Sequence, residues 1–267
     1  MARAVKRAAP HVRVSTFFHN VEARFFADAF RQSRSPRALA TLLAVRSAEA
    51  AAARFSDQRL VLSNRESKAL HETYGIGGTD IVPISVDDRL GSVPPSDQVV
   101  SADAPLLFVG GDFYANKAGI RWFARHVAPA IDRKTVVVGH GMDELRPELE
   151  AVRNVQVIGP AAALAPYYVE ARAVVAPIFG GSGMKTKVAE ALMFGKKVIG
   201  SGEAFSGYDN AVPEAGTICE TADEFIAAIR ALPPTAPAFD SALRKQFERH
   251  HSLRRLTDRL AHAMGRQ

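Results

Sequence analysis

The stretch PIFGGSGMKTKVAEALMFG, residues 177–195, passes from an apolar strand end through a glycine-rich loop into an amphipathic helix. Gly180, Gly181 and Gly183 let the backbone turn tightly, and a helix start aims N–H groups and a positive dipole end at one point, which suits an anion such as diphosphate. Lys185, read as part of the first helical turn, adds a point charge for phosphate oxygens. Glu190, further along, is placed to accept hydrogen bonds from ribose hydroxyls. The loop is not a Walker A motif, because Met184 separates Gly183 from Lys185. Glycines alone would equally make a simple tight turn, with Glu190 a solvated helix residue, so the flanking sequence has to decide.

Outward from this stretch, apolar runs recur at 106–110 (LLFVG), 135–139 (TVVVG), 155–159 (VQVIG), 173–177 (AVVAP) and 197–200 (KVIG). Helical stretches lie between most of them, which predicts βαβ crossovers and a parallel sheet buried on both faces. Four runs end in Gly and one in Pro, so the backbone turns closely at the carboxyl edge of the sheet, where open parallel sheets bind ligands.

Upstream, residues 11–18 alternate like a strand and end in the polar tetrad HNVE. Residues 21–55 read as two helices parted near Ser35 and Pro36. A strand follows at 59–62, then a capping-box start at Ser63 with Glu66 and a helix ending near Tyr74 and Gly75, then a strand at 80–84. Residues 85–104, with Val93-Pro94-Pro95 and no periodicity, read as a linker. The basic amphipathic tail, 241–267, is expected to pack back on one domain.

The chain has 267 residues, 47% hydrophobic and 23% charged, the composition of an ordinary globular protein with room for two modest domains. A single cysteine, Cys219, excludes an intrachain disulfide, and no Cys/His spacing fits a zinc site. The lone cysteine makes the reducing cytoplasm the default compartment, and with no signal peptide or bilayer-spanning run evident any membrane contact is expected to be peripheral. Net charge of +6 implies an anionic partner. Residues 1–68 carry thirteen Lys and Arg against five Asp and Glu, either a solvated surface or a face drawn to anionic lipid at the inner side of the membrane. Nucleic-acid binding has only the charge in its favour, since no aromatic-basic recognition motif is present. His140, His250 and His251 lack metal-ligand companions, and Trp122 and Phe123 read as core.

The run GGSGMKTKVAEALMFGKKVIGSGEAFSGYD resembles the donor-site segment of GT-B glycosyltransferases of the family 4, or group 1, type: a glycine-rich loop, a lysine, Glu-Ala, and a glycine before a final strand. LLFVGGDFYANKAGIRWF and VQVIGPAAALAPYYVEARAVVAPIF resemble, in order, the opening and middle of the same domain. The resemblance implies an α/β fold of GT-B type. Residues 105–232 would form a complete Rossmann-like donor domain and 1–88 a truncated Rossmann-like acceptor-side domain, with a linker at 89–104 and a helical tail at 233–267.

Residue by residue, the resemblance assigns Glu190 to the second glutamate of a Glu-x7-Glu pair, on the ribose, and Lys185 with the N–H groups of Ser182, Gly183 and Met184 to the diphosphate. Ser182 stands where the family has its first glutamate, which contacts the transferred sugar. Gly110 and Gly111 would approach the phosphates, with Gly111 in place of the usual arginine, and Lys117 matches a family lysine. His19 resembles the histidine that related enzymes place near the transferred sugar and the acceptor hydroxyl.

The activity implied is transfer of a hexose, with retention, from a UDP- or GDP-sugar to a glycan or lipid-linked acceptor in cell-surface polysaccharide assembly. Lysine and helix dipole would serve in place of a metal, with no cofactor beyond the donor. The alternatives are a nucleotide-sugar-binding remnant without transferase activity, a split-enzyme subunit whose partner chain supplies the missing N-terminal half, and, behind these, a sugar-nucleotide epimerase.

Overall fold

Strands buried on both faces must be apolar throughout, and the runs LLFV, TVVV and AVVA are buried at every position. In the computed structural model, which describes residues 1–91, 99–101, 103–209 and 211–265, they form the middle of a six-stranded parallel sheet. The chain divides into two compact units: Met1–Ile84, Gly181–Met184 and Leu256–Gln267 form one, and Ser85–Gly180 and Lys185–Arg255 the other.

The first unit is built on a three-stranded parallel sheet, β1 (Ser15–Phe18), β2 (Gln58–Val61) and β3 (Asp80–Ile81), in that spatial order. Helix α1 (Ala2–Ala8) packs on α3 (Pro36–Phe55), which follows α2 (Glu22–Ser33), and α4 (Asn64–Tyr74) lies between β2 and β3. The break before α3 is the expected one: Ser35 Oγ accepts from Ala38 N and Pro36 opens the helix. Ser63 likewise accepts from Arg65 N and Glu66 N, and Gly75 closes α4 in the left-handed region. The strands at 11–18 and 80–84 prove shorter than the alternation predicts; Pro83 has no N–H to continue the ladder.

In the second unit the six-stranded sheet comprises β5 (Leu106–Val109), β6 (Thr135–Val138), β7 (Val155–Gly159), β8 (Ala173–Ala176), β9 (Val198–Gly200) and β10 (Gly216–Ile218), in spatial order β10-β9-β8-β5-β6-β7. Its strand pairings are parallel. The chain thus starts at a central strand, winds to one edge and returns to the other, so the order reverses between β5 and β8. That reversal leaves a crevice at the carboxyl ends of those two strands.

Helices α5 (Tyr114–His126), α6 (Arg146–Leu149), α7 (Ala165–Glu170), α8 (Thr186–Met193), α9 (Val212–Ala215), α10 (Ala222–Arg230) and α11 (Ser241–His250) complete this unit. A small antiparallel pair, β4 (Val99–Val100) with β11 (Ala236–Pro237), and a bridge from Val86 to Ser252 pin parts of the expected linker. Val93, Pro94 and Pro95 lie outside the described residues.

The tail does not pack on one domain. Helix α11 packs against α8 in the second unit, the chain breaks near His251, and α12 (Leu253–Gly265) contributes Leu256, Leu260 and Ala263 to a cluster with Leu60 and Val82 in the first. Among the described residues no helix is long and apolar enough to cross a membrane.

Candidate functional site

The crevice between β5 and β8 is where the second unit gathers its polar side chains. After β8 the chain reaches α8, whose first turn leaves backbone N–H groups without intrahelical partners. Lys185 takes the N-cap position, one residue before the helix, rather than lying in the first turn. Its Nζ pairs with Glu203 Oε1 at 2.8 Å, with 11% and 15% of the two side chains exposed. Its backbone carbonyl accepts from the buried Tyr208 hydroxyl at 2.7 Å, so both ends of the residue are anchored. Glu190 is partly exposed, one helical turn beyond Lys187. The hydroxyl of Tyr168, on α7, donates to Glu190 Oε2 at 3.0 Å, and the Tyr168 ring stacks on Phe194 at 4.7 Å.

The loop after β5 supplies the opposite wall. Gly110 is buried and its N–H donates to Val138 O at 3.0 Å, continuing the ladder toward β6, so this amide is already engaged. Gly111 is exposed, and its carbonyl accepts from Asn116 Nδ2 at 3.1 Å. Lys117 is held between two carboxylates, Asp112 at 2.6 Å and Glu144 at 2.7 Å. Those hydrogen bonds raise the Lys117 pKa and lower that of Asp112. Its charge is therefore neutralised locally.

Beside this loop lies a cavity of about 640 Å³ lined by Arg89, the backbone of Val109–Gly111, Gly139, His140 and residues 160–165. Its walls are mostly small side chains and backbone, with an arginine and an imidazole as the polar groups.

In the first unit, His19 is exposed immediately after β1, with its ring stacked on Phe17 at 4.5 Å. Asn20 Nδ2 donates to Ser182 Oγ at 3.2 Å. Gly183, at φ +68°, lies against the same turn: a Cβ there would stand 3.0 Å from the His19 carbonyl oxygen. Met184 is buried. The structure thus brings His19, Ser182 and Gly183 together in one unit, and gathers Gly110, Gly111, Lys117, Lys185 and Glu190 in the other. Glu22 opens α2, and its N–H and that of Ala23 donate to the buried Glu49 carboxylate.

Several participants lie beyond the sequence candidates. Lys187 is buried and its Nζ donates to Asn116 Oδ1 at 2.7 Å. Glu203, Tyr208 and Tyr168 hold the candidate side chains from 18 to 23 residues away in sequence. The only sequence signal for Lys187 is its place on the apolar face of α8, where a lysine interrupts buried neighbours. Cys219 is buried and its thiol is pushed up to about 11 by burial and the carboxylates of Glu224 and Glu220, which suits no nucleophile. His251 is buried against the Tyr208 ring at 4.9 Å. Among the described residues no group of three or more His, Cys, Asp or Glu could hold a metal ion.

Residues 104–233 match the family model described as glycosyl transferases group 1. Sucrose-phosphate synthase from Thermosynechococcus elongatus is similar over 98% of this chain and 70% of its own, with TM-score 0.70 and 19% identity. Anabaena HepE, solved in complex with UDP, is similar over 100% of this chain and 75% of its own, with TM-score 0.70 and 14% identity. AviGT4, a glycosyltransferase involved in avilamycin A biosynthesis, is similar over 78% of this chain with TM-score 0.56 and 23% identity; this chain spans 62% of its length. Identities this low speak to the fold. No curated protein sequence matches the chain.

Proposed function

We propose that residues 104–233, which match the family model described as glycosyl transferases group 1, form a donor domain of that family, and that the chain transfers a hexose from a UDP- or GDP-sugar to a glycan or lipid-linked acceptor, with retention, in cell-surface polysaccharide assembly. The observation that supports this most is the crevice at the sheet's reversal point, where Lys185 stands at the start of α8 and an open cavity lies beside the loop after β5. In this reading the nucleoside base enters the cavity lined by Arg89, His140 and residues 160–165. Glu190, oriented by Tyr168, accepts from the ribose hydroxyls, and the diphosphate lies against Lys185.

Negative charge develops on the leaving diphosphate as the glycosidic bond breaks. Donors fixed in advance at that position lower the barrier without reorganising, in place of a metal or other cofactor. Lys117, matched to two carboxylates, is a phosphate ligand only if the donor displaces one of them. The basic residues of 1–68 draw the chain to an anionic bilayer carrying the acceptor.

Isothermal titration with a panel of UDP- and GDP-sugars tests the donor site, with Glu190→Ala as control. The wild-type chain is expected to bind at least one donor and the variant to lose most of that affinity. Lys185→Ala is expected to reduce turnover by roughly 10²-fold; near-normal turnover would remove Lys185 from the mechanism. Donor binding with neither transfer nor hydrolysis, across a range of acceptors, would instead favour a binding module, a reading to which Ser182 in place of a glutamate lends weight.

A further inference from the structure

Two lysines flank the start of α8 and are matched very differently. Lys185 has the Glu203 carboxylate at 2.8 Å. Lys187 is only 7% exposed, and among the described residues no carboxylate lies within ion-pair distance of it. Its Nζ donates to the neutral Oδ1 of Asn116 at 2.7 Å and stands 4.7 Å from the centre of the Phe108 ring. Asn116, in the first turn of α5, in turn donates from Nδ2 to the Gly111 carbonyl. One side chain therefore ties the helix that follows one glycine loop to the backbone of the other, at the point where the sheet reverses.

A buried ammonium without a counter-ion is costly, and an amide oxygen with an aromatic face offsets only part of that cost. An anion arriving between the two loops would supply the missing charge. We propose that Lys187 is a positioning residue for the donor: protonated, it holds the Gly111 loop against the start of α8, and the donor diphosphate completes its charge. The proposal rests on the donor-binding reading above.

Burial and the like charge of Lys185 push the Lys187 amine down to about 7, with Glu190 acting in the opposite direction. Both charged neighbours belong to the α8 segment; strand β5 brings the Phe108 ring and α5 the uncharged Asn116. In the unliganded chain the proton is therefore largely held at pH 6.5 and largely shed at pH 8.5. Donor binding in the upper half of that range takes a proton up.

The test is isothermal titration of the full chain with UDP-glucose and, in parallel, GDP-mannose, between pH 6.5 and 8.5. The diphosphate diester of either donor keeps both charges throughout. Wild-type affinity is expected to fall by roughly tenfold across the range, with proton uptake measured from buffers of different ionisation enthalpy. Lys187→Met is expected to bind about tenfold more weakly at pH 6.5 with a flat profile, which also separates Lys187 from His140 in the neighbouring cavity. Lys187→Arg, which cannot shed its charge, is expected to restore binding and flatten the profile.

Asn116→Ala, which cuts the tie and leaves the charge, should weaken binding and keep the slope; unchanged affinity there would overturn the tie. Wild-type affinity and slope in Lys187→Met would overturn the proposal. If that variant does not fold, a wild-type slope in Lys187→Arg would do the same. No binding of either donor by the wild-type chain at any pH would instead overturn the donor reading itself.

Discussion

Lys196 is buried, like Lys187, yet its surroundings give it a structural task. Its Nζ donates to the carbonyls of Val169 and Ala171, at 2.9 and 2.8 Å, just ahead of β9 and so at the opposite edge of the sheet from the crevice. Burial, and then the charge of Arg172, push its amine down to about 8. A lysine depressed in the native state holds its proton less readily there than in the unfolded chain. Its penalty is full below about pH 8 and is relieved as pH rises toward the ordinary lysine range. Urea midpoints should therefore rise between pH 8 and 9.5, and rise less in Lys196→Met; equal slopes would exclude Lys196 as the source.

Tyr168 makes a sharper case at the same scale. Its hydroxyl orients Glu190 while its ring is held by Phe194, so Tyr168→Phe removes the hydrogen bond and keeps the packing. We expect a loss of about 1 kcal/mol of stability and a few-fold weaker donor binding, read by denaturant titration and calorimetry; unchanged donor affinity would separate Glu190's orientation from its role. Glu190 was legible in the sequence because it shares a helix with the glycine loop. Tyr168 was not, because its partnership depends on how α7 is laid against α8.

At the scale of elements, Gly119 sits in the middle of α5, a place where glycine weakens a helix. A Cβ there would stand 1.9 Å from the carbonyl oxygen of Pro177, so the residue is set by how closely α5 crosses the chain leaving β8. Gly119→Ala is expected to cost roughly 2–3 kcal/mol, measured by urea unfolding, where the same change in an exposed helix would stabilise. A gain in stability would mean that the two segments are less closely packed than 1.9 Å requires.

Strands β5, β6, β8 and β9 were readable as elements because a strand buried on both faces is a continuous apolar run, and the edge strand β7 because it keeps alternating apolar residues. Strand β10 was not: its three residues are largely exposed and it pairs with β9 alone. The amino-terminal helix α1 was equally hidden, since none of its residues is buried and it rests on α3.

Over the whole molecule, charge is the quantity that the sequence alone supplies. The chain carries +6, concentrated in its first quarter. If that excess draws it to a bilayer, co-sedimentation with anionic vesicles should be strong at low ionic strength and lost by about 0.5 M salt, with no binding to neutral vesicles. Salt-resistant binding would point to apolar insertion instead.

The amino-acid sequence by itself determined the α/β class, the parallel sheet of the second unit and the loop that carries Lys185, because burial on two faces and a glycine loop before a helix leave periodic, local marks. Tertiary structure alone decided which charges stay available. Lys117, a candidate by position, is neutralised by Asp112 and Glu144, while Lys187, unremarked in the sequence, is left buried beside an uncharged amide. Nothing local distinguishes these lysines. The difference lies in which side chains distant in sequence are brought within about 3 Å, and Coulomb and desolvation energies depend on that distance and on the water excluded around it.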